Sequence, residues 1–213
     1  YCSRNISDVT ARSIVSWMTG TPAPEEYIPL LVEELAPEGQ DPRAPVWRKD
    51  PSIDFRVAVI GAGMSGILAA IRLSPANVPF VIIEKNSDVG GTWFENTYPG
   101  ARVDVASAFY SYSFAQKADW PNFFSPQSVL LDYFRECADQ YNLREHIRFN
   151  TEVQSATFDE DRCLWSVQVR NADGSEESIE AQAVIRAAGP LNRPRSPHIV
   201  GADHVGSPGA RVG

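Results

Sequence analysis

An α/β fold is predicted for this 213-residue chain: a three-layer domain around a parallel sheet, carrying a β-meander and preceded by a small helical extension. Three features predict it. An apolar run, Val57 to Ile60, passes through glycines into a helical repeat and returns as a second apolar run, PFVIIEK, which is the opening of a doubly wound sheet. Later segments alternate apolar and polar residues between turn residues, as strands of a meander do. Residues 1–54 differ from both, being proline-rich with short helical patterns.

In the extension, DVTARSIVSWMTG sets Val9, Ile14, Val15, Trp17 and Met18 near helical spacing, with Gly20 as a stop. TPAPEEYIPLLVEELAP then reads as a Pro-started helix with Glu25 and Glu26 in its first turn, where negative charge suits the helix dipole. Two such helices bury little alone, so they must pack on the main domain or on a second subunit. The connector PEGQDPRAPVWRKDPS has no apolar period, which sets the domain boundary near residue 54. From Phe55 the strand, the helix beginning at Met64 and the second strand follow in order. Residues 86–120, rich in glycine, aromatics and asparagine, form a loop long enough to be functional. SPQSVLLDYFRECADQYNL reads as a helix with Ser125 as N-cap and Pro126 at its first position. IRFNTEVQSATFD, LWSVQVR and SIEAQAVIRAAG then form the meander, turning at 159–162 and at Asp173-Gly174. The last member is apolar enough to return to the central sheet.

The glycines between first strand and helix carry the chemistry. In Gly61-x-Gly63-x-x-Gly66 the first glycine permits a tight turn. The second lets the backbone approach a pyrophosphate, and the third allows close helix–strand contact. Amides at the helix start then face the phosphates, aided by the dipole. Glu84, eighteen residues after Gly66 at the end of the second strand, can accept hydrogen bonds from both ribose hydroxyls of an adenosine. It would repel a 2′-phosphate. This is a Rossmann-like dinucleotide site, open at this point to FAD or NAD. Gly90-Gly91 and Trp93, directly after the ribose acid, suggest a loop passing close to an extended cofactor and favour FAD.

GAGMSG followed by EKNSDVGGTWFENTYPGARVDV resembles the FAD domain of the Baeyer-Villiger monooxygenases, two-dinucleotide flavoproteins related to the flavin-containing N- and S-oxygenases. The likeness runs over about residues 55–201 and includes NTEV, AAGPLNRP and FSPQSVLLDYF; the N-terminal helices more loosely resemble the extension of an acetophenone-oxidising subgroup. The resemblance implies that Gly61, Ala62, Gly63, Ser65 and Gly66 hold the pyrophosphate and Glu84 the ribose. It implies that Gly91, Thr92 and Trp93 line the ribityl chain and ring of the flavin, with Tyr98 and Tyr110 nearby. Val153 matches the position whose backbone meets the adenine, and Ala188 and Gly189 the segment where the chain leaves the FAD domain. Asp104 matches the acid near the reactive edge of the flavin, where the family uses it to orient a catalytic arginine.

The activity implied is NADPH- and oxygen-dependent insertion of oxygen into a small-molecule ketone, giving an ester or lactone. The alternatives are a flavin-containing N- or S-oxygenase, disfavoured by the Tyr98-Pro99-Gly100…Asp104 run, or a non-catalytic FAD-binding remnant. The family's second glycine motif, for NADPH, and its Phe-x-Gly-x-x-x-His-x-x-x-Trp signature have no counterpart here. With Tyr1 in place of methionine and a tail, residues 203–213, without periodicity, the expectation is a fragment: extension 1–54, incomplete FAD domain 55–202, NADPH domain absent.

The bulk properties narrow the partners. Apolar residues at 43% and charged residues at 22% suit a globular core, while a net charge of −8 argues against nucleic acid and anionic membranes. No apolar run nears the ~18 residues of a membrane span, and the N-terminus lacks a leader's pattern. Cys2, Cys137 and Cys163 read as reduced cytoplasmic thiols, and neither they nor His146, His198 and His204 have metal-ligand spacing. A homodimer through the N-terminal helices is the remaining partner expectation.

Overall fold

The computed structural model describes residues 7–22, 24–29 and 44–190. The chain divides into two compact units, Tyr1–Val46 with Val103–Ser125, and Trp47–Arg102 with Pro126–Gly213.

In the second unit four parallel strands form a sheet: β1 (Val57–Ile60), β2 (Phe80–Ile83), β3 (Ile147–Arg148) and β7 (Ala183–Arg186), in the order β3-β2-β1-β7. Three more, β4 (Glu152–Asp159), β5 (Leu164–Arg170) and β6 (Glu176–Ala181), make an antiparallel meander. The strands β1 and β2 form because β-branched residues occupy both faces, as a strand covered on two sides requires. One face meets the meander through a core of Ala58, Ile83, Val167, Val169 and Ala181. On the other side helix α2 (Met64–Leu73) packs on β1 and β2, burying Ile67, Ala70 and Ile71. Each fully buried Ile or Val contributes roughly 1.5–3 kcal/mol. Helix α4 (Gln127–Gln140) packs on α2 and on α3 (Thr92–Glu95), a single turn inside the long loop. Leu130, Phe134 and Ala138 form its innermost stripe. Meander, sheet and helices are the three predicted layers.

Three local readings differ from the structure. IRFNTEVQSATFD is two strands, because Asn150 takes φ 53° and turns the chain out of the sheet before β4 begins. SIEAQAVIRAAG is also two: Gln182 separates β6 from β7, donating its amide to Arg56 O at 3.0 Å and accepting Arg56 N–H on its side chain at 2.7 Å. That double bond moves the chain from meander to central sheet. Ser125 does not cap α4. Pro126 is the N-cap, without a side-chain bond, and the buried Ser125 hydroxyl accepts instead from Ser107 at 2.8 Å. The turns at 159–162 and at Asp173-Gly174 join the meander strands as expected, with Arg162 N–H on Asp159 and Gly174 at φ 83°.

In the first unit α1 (Asp8–Thr19) is capped by Ser7, which accepts from Thr10 N at 3.2 Å, and ends at Gly20, φ 69°. Residues Glu25–Tyr27 form a 3-10 turn that passes into helical residues 28–29, so the expected helix opens as a tighter turn; its remainder, the C-terminal tail, Cys2, His198 and His204 lie outside the described residues. Residues Ser107–Phe109 form a second 3-10 turn, pinned where Ser107 N–H donates to Phe123 O at 2.8 Å.

Candidate functional site

The chain runs from β1 outward through β2 to β3, and β7 lies on the other side of β1. Such a reversal opens a crevice at the carboxyl ends of the two strands that flank it, β1 and β7, the usual ligand position in open parallel sheets. Gly61 follows β1 there, and residues 187–189 follow β7. Gly61 N–H donates to Ile83 O at 2.8 Å and Ala187 N–H to Ile60 O at 2.9 Å, which ties both turns to the strand ends. A Cβ on Gly61 would lie 2.8 Å from Ala187 O and 3.5 Å from the Ala188 Cα, so Ala188 is brought to the glycine turn.

The turn is closed by backbone-to-backbone contact. Gly66, one turn into α2, admits no side chain, since a Cβ there would sit 1.9 Å from Gly61 O. Gly63 is the N-cap of α2 and supplies no side-chain cap. Ile67 N–H donates to Gly63 O at 3.0 Å, which closes the first turn of α2 directly onto the glycine loop. Ser65 lies exposed at this end.

Glu84 holds the turn from below. It is 4% exposed; its Oε2 accepts Ala62 N–H at 2.6 Å and its Oε1 accepts Asn86 N–H at 2.8 Å. Each carboxylate oxygen has about two acceptor positions, so these two amides leave one on each unused. Ala62 is held through the next peptide too, its carbonyl accepting Gly90 N–H at 3.0 Å. Next to it Gly91 takes φ 53°, and a Cβ there would come 2.9 Å from the Gly63 Cα. The two glycine turns therefore touch and present one continuous backbone surface, a cradle that any side chain at Gly63 or Gly91 would fill. Thr92 is exposed and Trp93 half-buried just beyond it, while Tyr98 is 64% exposed.

Val153 is further from the turn in the chain but belongs to the same unit. It is half-buried on β4, opposite Val169, and packs against the core that includes Ala58 and Ile83. Gly189 is exposed at the end of the described chain. Asp104 and Tyr110 fall in the first unit, Asp104 exposed and Tyr110 half-buried. So Gly61, Ala62, Gly63, Gly66, Glu84, Gly91 and Ala188 come together, and Asp104 and Tyr110 belong to a different compact unit.

Residues not singled out in the sequence support the second glycine turn. Gln127, Leu131 and Arg135 recur every four residues along one face of α4. They meet the loop in reverse order: the Gln127 amide donates to Trp93 O, Leu131 closes over Gly90, and Arg135 Nε donates to Asp88 at 2.8 Å. Arg144 adds a second guanidinium on Asp88 at 2.9 Å. Burial disfavours the Asp88 charge, but the bonds from Arg144, the Val89 amide and Arg135 outweigh it and hold this carboxyl below its ordinary range. The four-residue recurrence was visible in the sequence; the loop it faces was not.

A strand–glycine turn–helix unit with an acid closing the second strand defines a Rossmann-like dinucleotide-binding protein, and residues 59–125 match the family of NAD(P)-binding Rossmann-like domains. A Baeyer-Villiger monooxygenase of Streptomyces coelicolor is 40% identical over 149 residues, 70% of this chain and 28% of that protein. Among solved structures, a complex of the monooxygenase OTEMO with FAD and NADP is 38% identical with a TM-score of 0.63, covering 73% of this chain and 29% of that one. An oxidized steroid monooxygenase bound to NADP is 37% identical with a TM-score of 0.62, over 70% and 28%. The chain belongs to the Baeyer-Villiger monooxygenase family of flavoproteins, and it spans under a third of the length of the curated relatives it matches. Among the described residues no helix is long and apolar enough to cross a membrane.

Proposed function

We propose that this chain is the FAD-binding portion of an NADPH- and oxygen-dependent monooxygenase that inserts oxygen into a ketone, giving an ester or lactone. The observation that carries the reading is Glu84: a buried carboxylate at the end of β2, bonded to the Ala62 amide at 2.6 Å and the Asn86 amide at 2.8 Å, which leave one acceptor position on each oxygen unused. Together with the touching glycine turns, this fits an extended dinucleotide rather than a structural bend.

The cradle of Gly61, Ala62, Gly63, Ser65 and Gly66 binds the pyrophosphate with amides and the α2 dipole, which needs no cationic side chain. Glu84 orients the adenosine ribose, and the Val153 backbone meets the adenine. Gly91, Thr92 and Trp93 would line the ribityl chain and ring of the flavin, the region to which the resemblance also assigns Tyr98 and Tyr110. Ala188 and Gly189 form the segment by which the chain leaves the FAD-binding domain, with Ala188 beside the glycine turn. Bound FAD supplies the redox and oxygen chemistry, with NADPH as reductant. Asp104 fixes the position of an arginine cation contributed elsewhere in the protein, so that positive charge faces the oxygen that becomes negative during transfer. Residues 55–202 act as the FAD-binding domain, 203–213 as a tail, and 1–54 as an arm that pairs two copies, in the cytoplasm.

Ketone conversion by a protein that carries this chain together with an NADPH-binding portion tests the reading. Labelled molecular oxygen should enter the product ester one atom per NADPH consumed. Oxidation at nitrogen or sulfur, with ketones left intact, would replace the assignment with the N- or S-oxygenase alternative.

A further inference from the structure

We propose that Asp88 is a positioning residue, the hinge pin of an ionic clasp through which α4 holds the Gly90-Gly91 turn against the phosphate turn and so governs how long a dinucleotide is retained. The inference rests on the FAD reading for its ligand, but on the chain's own geometry for the clasp. The Gly90-Gly91 turn is intrinsically loose: two successive glycines at φ 121° and 53° have many conformations to lose on ordering. Something outside the turn must fix it.

Asp88, two residues earlier, does so with both carboxylate oxygens. Its Oδ2 accepts Arg135 Nε at 2.8 Å; its Oδ1 accepts Arg144 at 2.9 Å and the amide of Val89 at 2.8 Å. The Asp88 side chain is 19% exposed, so these bonds are shielded more than surface pairs are. Each guanidinium has a second acid, Asp132 on Arg135 and Asp139 on Arg144, which fixes it on the α4 side before it meets Asp88. The fixed end then passes directly into the turn: Val89 is fully buried, Gly90 donates to Ala62, and Gly91 touches Gly63. Leu131 and Gln127 hold the following residues along the same helix face. Displacing Asp88 would thus free the wall of the cradle without touching a group that contacts the ligand.

The test uses the full chain and its Asp88→Asn variant, which keeps an oxygen for the Val89 amide but loses the charge. Two quantities are read: amide exchange over residues 89–93 against that of β1 and β2, and the rate at which FAD leaves after dilution. Exchange in the loop should rise roughly tenfold or more with the β1 and β2 amides unchanged, and FAD should leave roughly tenfold faster, the scale of a charged hydrogen bond converted to a rate. Arg135→Gln should reproduce both effects, and serves if Asp88→Asn fails to fold. Unchanged loop exchange, or exchange rising equally across the sheet, overturns the clasp. Faster loop exchange with an unchanged FAD departure rate overturns its role in retention. If the parent chain binds no FAD, the FAD reading fails and the exchange measurement alone decides whether Asp88 holds the turn.

Discussion

Replacing Glu84 with glutamine separates this site from one in which the acid serves only the ligand. The carboxylate accepts two backbone amides, Ala62 at 2.6 Å and Asn86 at 2.8 Å, in a 4% exposed position. Glutamine has one acceptor oxygen, so one amide loses its partner and faces an NH₂ group instead. A hydrogen bond to a charged acceptor is worth roughly 1.5–3 kcal/mol, and an abandoned buried donor costs about as much. Glu84→Gln should therefore destabilise the unliganded fold by about 2 kcal/mol. For a chain of this size that is roughly 4–8 °C in melting temperature. FAD affinity should fall as well, by about 10- to 100-fold, since the ribose loses a charged acceptor and the turn its anchor. Urea unfolding of the ligand-free chain measures the first effect and fluorescence titration with FAD the second. A ligand-free stability within about 0.5 kcal/mol of the parent would refute the claim that Glu84 holds the turn, whatever happened to affinity.

Gly66→Ala sets the helix-propensity gain of about 1 kcal/mol against a Cβ placed 1.9 Å from Gly61 O and 2.9 Å from Gly61 C; both contacts are backbone, so urea unfolding should show a net loss and FAD titration a weakened site. Glu177, bonded by Arg148 and Asn171, is pushed down from 4.5 to about 2. Its contribution is present above the ordinary carboxylate value and is lost as pH falls through about 2, so an Arg148→Gln variant should show less acid sensitivity of stability between those values than the parent. In a protein that also carries the NADPH-binding portion, Asp104→Ala should leave FAD content normal and lower ester formation by roughly 10²–10³-fold, with hydrogen peroxide formed instead; parental ester yield would make Asp104 a loop residue only. Deleting residues 1–54 from that protein should halve the sedimenting particle, and an unchanged mass would remove the pairing role of the arm.

The parts legible in the sequence are those set by local periodicity. β1, α2 and β2 follow from an apolar run, a glycine turn with a reason at each position, and a second run, and the structure has them where the pattern puts them. Glu84 was legible because it ends a strand at a defined distance from that turn. What escaped depends on partners far along the chain. The switch from β6 to β7 turns on Gln182 meeting Arg56, which no alternation in SIEAQAVIRAAG announces. Ser125 has the right residue type for a cap, but Ser107 claims its hydroxyl. Asp88 looked like part of a polar loop because its arginines lie 47 and 56 residues away. Asp104 and Tyr110 entered through resemblance alone, and they belong to a unit whose segments are distant in sequence.

Equilibrium binding of FAD and of NAD to the purified, flavin-free chain tests the central claim most directly. Flavin absorbance should saturate at about one FAD per chain, with the visible bands shifted by the environment of Trp93, and NAD should not displace it at concentrations well above that of FAD. Retention of NAD more tightly than FAD, or no saturable flavin binding by a chain that unfolds cooperatively, would contradict the account.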